Sequence, residues 1–171
     1  MRFIIILLIS LGTVNAKLSV PNIFGDNMVI QRDSPIHVWG EASPEKNVRV
    51  ILGNRDLTVK SDINGKWSLN LDALQGSNQS KSMSISSEGE TIEFDNIMIG
   101  DVWILGGQSN MEDALESIYH GDTEVISANF PSIRLITIPQ KAENEPQDFE
   151  NSEFRARAPK RLKMGFRSSK I

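Results

Sequence analysis

The sequence predicts an all-β sandwich followed by the start of an α/β domain, and three observations predict it. Between Lys17 and Asn96, apolar and polar residues alternate in short runs separated by turn residues. Near Ile97 this alternation gives way to a continuous apolar run, Val102-Trp103-Ile104-Leu105. Behind it, Met111, Ala114, Leu115, Ile118 and Tyr119 recur at the spacing of one helix face. The 171 residues have room for one ordinary domain, or a small domain and part of a second.

The chain opens with Arg2, an apolar run from Phe3 to Leu11 and the small-residue ending Val14-Asn15-Ala16, the layout of a secretory signal peptide. That run is too short to cross the ~30 Å hydrocarbon layer as a helix, which needs about 20 residues, so no stable membrane span is expected. The expected location is secreted or periplasmic. There is no cysteine, so disulfides cannot support an exported fold and the core must hold by packing. One Asn-x-Ser sequon, Asn78-Gln79-Ser80, has meaning only in a host that glycosylates secreted proteins.

In the β region the clearest alternations are Val48/Val50/Leu52, Trp67/Leu69/Leu71 and Met83/Ile85, each with polar residues between. One apolar face and one polar face are what a half-buried antiparallel strand requires. Gly53-Asn54, Asn64-Gly65 and Glu88-Gly89 mark turns, and the Asn-Gly pair predicts a hairpin from Leu57 to Leu71. About seven or eight strands in some 80 residues fit a two-sheet sandwich. Ile97 to Ile99 can close it. The run from Val102 to Leu105 then suits a central parallel strand buried on both faces. Gly121 is expected to end the first helix, a second short helix is expected from Asp122 to Asn129, and Ile133 to Ile138 reads as another strand. The region from Gln140 to Glu153 is polar and acidic, and two strands cannot cover both faces of an α/β sheet, so this domain is expected to be unfinished.

Charge is unevenly spread. From Arg155 to Ile171 there are seven basic residues and no acidic one, whereas residues 1–154 carry 11 basic against 22 acidic groups. Phosphate binding needs clustered cations on a folded face, so the acidic body argues against nucleic acid as a partner. Composition says nothing of the oligomeric state. No Cys/His cluster or regularly spaced carboxylate set suggests a metal, and no phosphate-cradling glycine loop appears, so no cofactor is expected.

The string Gly106-Gly107-Gln108-Ser109-Asn110-Met111-Glu112 falls at the junction of the apolar run and the amphipathic helix. A serine at a helix start has its own N–H among the unpaired donors of the first turn, where partial positive charge favours a developing oxyanion. Ser109 is thereby a candidate nucleophile. The second glycine of the Gly-x-Ser-x-Gly elbow is missing, because Met111 stands there. Ser109 with Glu112 is also a capping-box spacing, in which the hydroxyl only satisfies a backbone N–H, and on pattern alone capping is the commoner use.

The segment from Gly100 to Glu112, Gly-Asp-Val-Trp-Ile-Leu-Gly-Gly-Gln-Ser-Asn-Met-Glu, closely resembles the nucleophile block of the sialate O-acetylesterase family, a branch of the SGNH-type hydrolases. Phe24-Gly25-Asp26-Asn27-Met28-Val29-Ile30-Gln31-Arg32, followed by Pro35-Ile36-His37-Val38-Trp39-Gly40, is similar to that family's opening signature. Ala128 to Leu135 looks like the segment after its first helices. The resemblance spans about residues 18–153. It implies a β-sandwich beside a flavodoxin-like hydrolase domain, an acetylated sugar as substrate, Ser109 as the catalytic nucleophile, and Gly107, Gln108 and Asn110 as oxyanion or positioning residues. The organisation expected is then a signal peptide over 1–16, a β-sandwich domain over 17–96, the amino-terminal part of an SGNH-type esterase domain over 97–153, and a basic tail over 154–171 not native to the fold. A tail that binds an acidic surface is the alternative reading.

Departures from the family pattern are specific. SGNH-type enzymes take their base from an Asp-x-x-His block far toward the carboxyl end, and this sequence has none. Of its two histidines, His37 falls in the β region and His120 reads as a solvated helix-end residue, where a cation suits the dipole. The expectation is an incomplete and inactive esterase fragment, with a non-catalytic sugar-binding or structural module as the rival. Trp39 and Trp67 are read as packing residues rather than sugar platforms, and Arg134 as an edge residue.

Overall fold

Alternation becomes strands wherever one face of a segment can leave water. The computed structural model describes residues 17–107, 118–127 and 130–136, and these carry seven strands and one short helix. The strands are β1 (Val29–Gln31), β2 (Ile36–Glu41), β3 (Asn47–Leu52), β4 (Arg55–Lys60), β5 (Lys66–Leu71), β6 (Ser77–Ser87) and β7 (Glu90–Gly100), and the helix α1 is Gly121–Ser127. A five-stranded sheet has the order β1-β7-β6-β3-β4, and β2 and β5 form a second, two-stranded sheet.

Both sheets feed one apolar core. Val48, Val50 and Leu52 of β3 are buried, as are Trp67, Leu69 and Leu71 of β5 and Met83 and Ile85 of β6, while Arg49, Lys66, Ser68 and Asn70 between them face water. Ile36 and Val38 of β2 and Ile97 and Ile99 of β7 complete the same cluster. Full burial of one such aliphatic side chain contributes roughly 1.5–3 kcal/mol, which is how a chain without disulfides holds together. A buried hydroxyl, that of Ser61, donates to the Ser43 carbonyl at 2.6 Å and accepts the Lys46 N–H at 3.0 Å.

Turns fall where the sequence marks them. Two-residue connections at Gly53-Asn54 and Glu88-Gly89 join Leu52 to its partner Arg55 and Ser87 to its partner Glu90. The predicted hairpin from Leu57 to Leu71 does not form. β4 pairs with β3, and β5 pairs with β2, so the Asn64-Gly65 turn carries the chain from one sheet to the other. Turn chemistry fixes a local reversal but not which strand edge each arm joins. β4 is claimed by the tighter two-residue link to β3.

β1 was hidden to alternation: it pairs in parallel with β7, Val29 opposite Met98 and Gln31 opposite Gly100. β7 itself ends at Gly100. Beyond it the expected parallel strand is absent, since residues 101–107 are without regular structure. Trp103 is 82% and Ile104 93% exposed. A parallel strand becomes stable when neighbours pair with both its edges and layers cover both faces, and no described strand lies against this run. Gly121 begins α1 instead of ending a helix. The second short helix is present at 121–127, one residue from its expected start. Over residues 133–136 there is only a single-residue bridge at Leu135, not a strand. The expected first helix ran from Met111 to Tyr119; its Ile118 and Tyr119 lie in a bend and a turn, while its residues 111–117, the signal peptide, residues 137–138 and the basic tail lie outside the described residues.

Candidate active site

The way into the Gly106–Glu112 string is built by the opening motif. Asn27, at φ +64°, sends its N–H to the Asp95 carbonyl at 3.0 Å. The Asp95 N–H is accepted by the Asp26 carboxylate at 2.8 Å, and Asn96 Nδ2 donates to Asn27 Oδ1 at 2.7 Å. Met98 N–H donates to the Met28 carbonyl at 3.0 Å, after which β1 runs alongside β7. Residues 26–31 are thus laced to residues 95–100.

The lacing continues past the end of the strand. Arg32 N–H donates to the Gly100 carbonyl at 2.9 Å, and the Arg32 guanidinium donates from Nε to Asp101 Oδ1 at 2.9 Å. Gln31 Oε1 accepts the Val102 N–H at 2.9 Å. The hydrogen bond and the charge of Asp101, with that of Asp33, raise the Arg32 guanidinium further above its already high pKa. Three successive residues, Gly100, Asp101 and Val102, are therefore held by Gln31 and Arg32. The segment from Trp103 to Gly107 is then exposed, and a Cβ at Gly106 would meet nothing within 4 Å.

Of the site residues expected from sequence, Gly107 is an exposed residue at the end of this segment. Gln108, Ser109 and Asn110 lie outside the described residues. His37 sits on β2 in the β body, stacked on Trp39 with ring centroids 5.0 Å apart, and Phe24 meets the same indole edge-on. His120 is exposed at φ +59° and its carbonyl accepts the Glu124 N–H at 3.3 Å. It immediately precedes α1, and the first helix that it was expected to end lies outside the described residues. The Arg134 guanidinium is spent on the carbonyl of Pro131, three residues back. Trp67 is buried, in agreement with its reading as packing, and Trp39 is half-buried. Among the described residues no group of three or more His, Cys, Asp or Glu could hold a metal ion, and no helix is long and apolar enough to cross a membrane.

Sequence reasoning missed the roles of Gln31, Arg32 and Asp101. The signal was present as a Gln-Arg pair closing one motif and a Gly-Asp pair opening the other, but nothing in a linear reading puts 31 beside 102.

No family model matches the chain. Human sialate O-acetylesterase is 25% identical over 135 residues, which is 72% of this chain and 26% of the relative, and the mouse enzyme is 25% identical over 122 residues, 65% of this chain and 23% of the relative. A crystal structure of a carbohydrate acetylesterase from Xanthomonas citri superposes with a TM-score of 0.76 at 30% identity, covering 82% of this chain and 32% of that one. Over part of their length, then, the sialate O-acetylesterases are similar to this chain. It spans about a quarter of the length of the curated relatives it matches.

Proposed function

We propose that the protein is a carboxylic ester hydrolase that removes O-acetyl groups from sialic acid or a related acetylated sugar, with Ser109 as nucleophile. The observation that carries this reading is the likeness, in both sequence and fold, to enzymes named as acetylesterases of sugars. The arrangement we propose is a secreted or periplasmic β-sandwich in front of an SGNH-type, flavodoxin-like hydrolase domain, of which residues 97–153 form the beginning.

In the proposed reaction Ser109 Oγ attacks the acetyl carbonyl carbon and loses its proton to a base. The bond from that carbon to the sugar oxygen then breaks, the sugar hydroxyl leaving with a proton, and water converts the acetyl-serine to acetate. N–H groups of the turn at Gly107 and Ser109, with Gln108 or Asn110, would hold the oxyanion, and one such donor is typically worth about 10²–10³ in rate. Neither His37 nor His120 follows an Asp at the Asp-x-x-His spacing. The 171 residues by themselves accordingly lack a base and turn over little.

An external base tests both halves of the proposal. With an O-acetylated sialic acid as substrate, acetate release is expected to be near background without imidazole and to rise with imidazole in the wild-type chain but not in Ser109→Ala. Equal release from both at every imidazole concentration would remove Ser109 from the chemistry. Ready turnover without imidazole, abolished by Ser109→Ala, would instead contradict the missing base. The rival, a non-catalytic sugar-binding or structural module, is favoured by the β body having an apolar core of its own. It predicts the first of these outcomes.

A further inference from the structure

The β body is pinned from Leu18 onward. Leu18 is 4% exposed in the core, and Ser19 exchanges both backbone hydrogen bonds with Glu41 at 2.9 Å. At the near side of this anchor the Leu18 N–H donates to Glu90 Oε2 at 2.6 Å. The bond expected to be cut during export, Ala16–Lys17, lies one residue away. We infer that Glu90 and Ser87 form a binding site for the α-ammonium group of Lys17 that this cut creates, so that processing stabilises the β body. The inference rests on the reading of residues 1–16 as a signal peptide.

Cleavage by a signal peptidase is a hydrolysis: water adds across the Ala16–Lys17 amide, Ala16 keeps the carboxylate, and the proton passes to the Lys17 amine, whose ordinary pKa of about 8 leaves it mostly charged at neutral pH. A neutral amide with one donor becomes a cation with three. Ser87 and Glu90 are directly opposite each other in the β6–β7 hairpin, so their side chains share a face. Both line one open pocket of about 310 Å³ together with Lys17 and Leu18, which leaves ample room for an ammonium group. Ser87 is 7% exposed, and its buried Oγ has no hydrogen-bond partner. Such a hydroxyl is costly to leave unmet. The neighbouring Glu88 is already paired with Lys46 at 3.1 Å, whereas among the described residues no Lys or Arg forms an ion pair with Glu90. Adjacent backbone nitrogens are about 3 Å apart, which puts the Lys17 nitrogen within about 6 Å of Glu90 Oε2. The site thus offers a carboxylate without a cation and a hydroxyl without a donor, beside the one backbone nitrogen that gains charge and donors on processing.

The test exports the full chain from a secreting host and reads its amino terminus by intact mass, which is expected to begin at Lys17. Thermal midpoints are then compared before and after acetylation of the α-amine, which removes its charge, with the modified position checked by peptide mass. Acetylation is expected to lower the wild-type midpoint by roughly 4 °C. In Glu90→Gln, which still offers an acceptor to the Leu18 N–H, it should have little further effect. Ser87→Ala should lower the midpoint of the free-amine form and leave that of the acetylated form unchanged. Glu88→Gln, which breaks the pair with Lys46, serves as control and should keep the full acetylation shift. An acetylation shift that is absent from the wild type, or equal in wild type and Glu90→Gln, would overturn the inference while leaving the signal peptide in place. A chain that keeps residues 1–16, or begins elsewhere, would show the signal-peptide reading itself to be at fault, and the inference would fall with it.

Discussion

Across the β3–β4 hairpin the Arg49 guanidinium donates to both carboxylate oxygens of Asp56, from Nε at 2.9 Å and also from Nη2. The hydrogen bond to Arg49 holds the Asp56 carboxyl below its ordinary pKa of 3.8, helped by the charge of Arg49 and opposed by partial desolvation. A depressed folded-state pKa means the pair's contribution is whole above the unfolded value and is lost as pH falls through the folded one. Asp56→Asn is therefore expected to lower stability at neutral pH, and the gap to wild type should close as pH drops below about 3.8. Denaturant unfolding across that range checks it; a gap independent of pH would contradict the pairing. The effect should also shrink with added salt, because the pair is exposed.

Between β4 and β5 the chain crosses from one sheet to the other, and the turn is sewn in place. The Asp62 carboxylate accepts N–H groups from Asn64 at 2.8 Å and Lys66 at 2.9 Å, and the Gly65 carbonyl accepts the Ala42 N–H at 2.9 Å. Gly65 has φ +85°, and a Cβ there would come 2.3 Å from the Ala42 carbonyl oxygen. Left-handed strain costs about 1–3 kcal/mol on its own, and the clash with backbone adds to it. Gly65→Ala should thus destabilise the fold by at least that amount in urea unfolding; a loss under about 0.5 kcal/mol, the size of an ordinary surface change, would show that the turn is not fixed as described. The same element shows where linear reading stops. Asn64-Gly65 announced a reversal correctly, because positive φ is a local matter. Partner choice for β5 is set by side chains far apart in sequence, such as Leu71 opposite Ile36. β1 escaped for a related reason: a three-residue parallel strand is too short to show a period.

For the whole molecule, the alternations of β3, β5 and β6 were legible because a single core makes each of them one-sided. The run from Val102 to Leu105 was legible as apolar and misread as buried, because burial of a parallel strand depends on partners that a periodicity cannot see. Of the candidate site, the string around Ser109 was found by resemblance, and the hydrogen bonds of Gln31 and Arg32 to residues 100–102 only by structure. Val102, Trp103, Ile104 and Leu105 now stand at the surface with Ile118, Tyr119, Ile126, Phe130, Ile133 and Ile136. So many large apolar side chains in water favour association. Light scattering should show mass rising with concentration, and Trp103→Ser with Ile104→Lys should suppress it; a wild-type mass constant with concentration would mean that these residues are covered.

The most direct measurement of the central claim is where a fluorophosphonate attaches when the intact chain is digested and its peptides weighed. With imidazole present as the base, the account predicts one adduct, on Ser109, lost in Ser109→Ala and near background without imidazole. Adducts spread over the many exposed serines, or none at all, would contradict it.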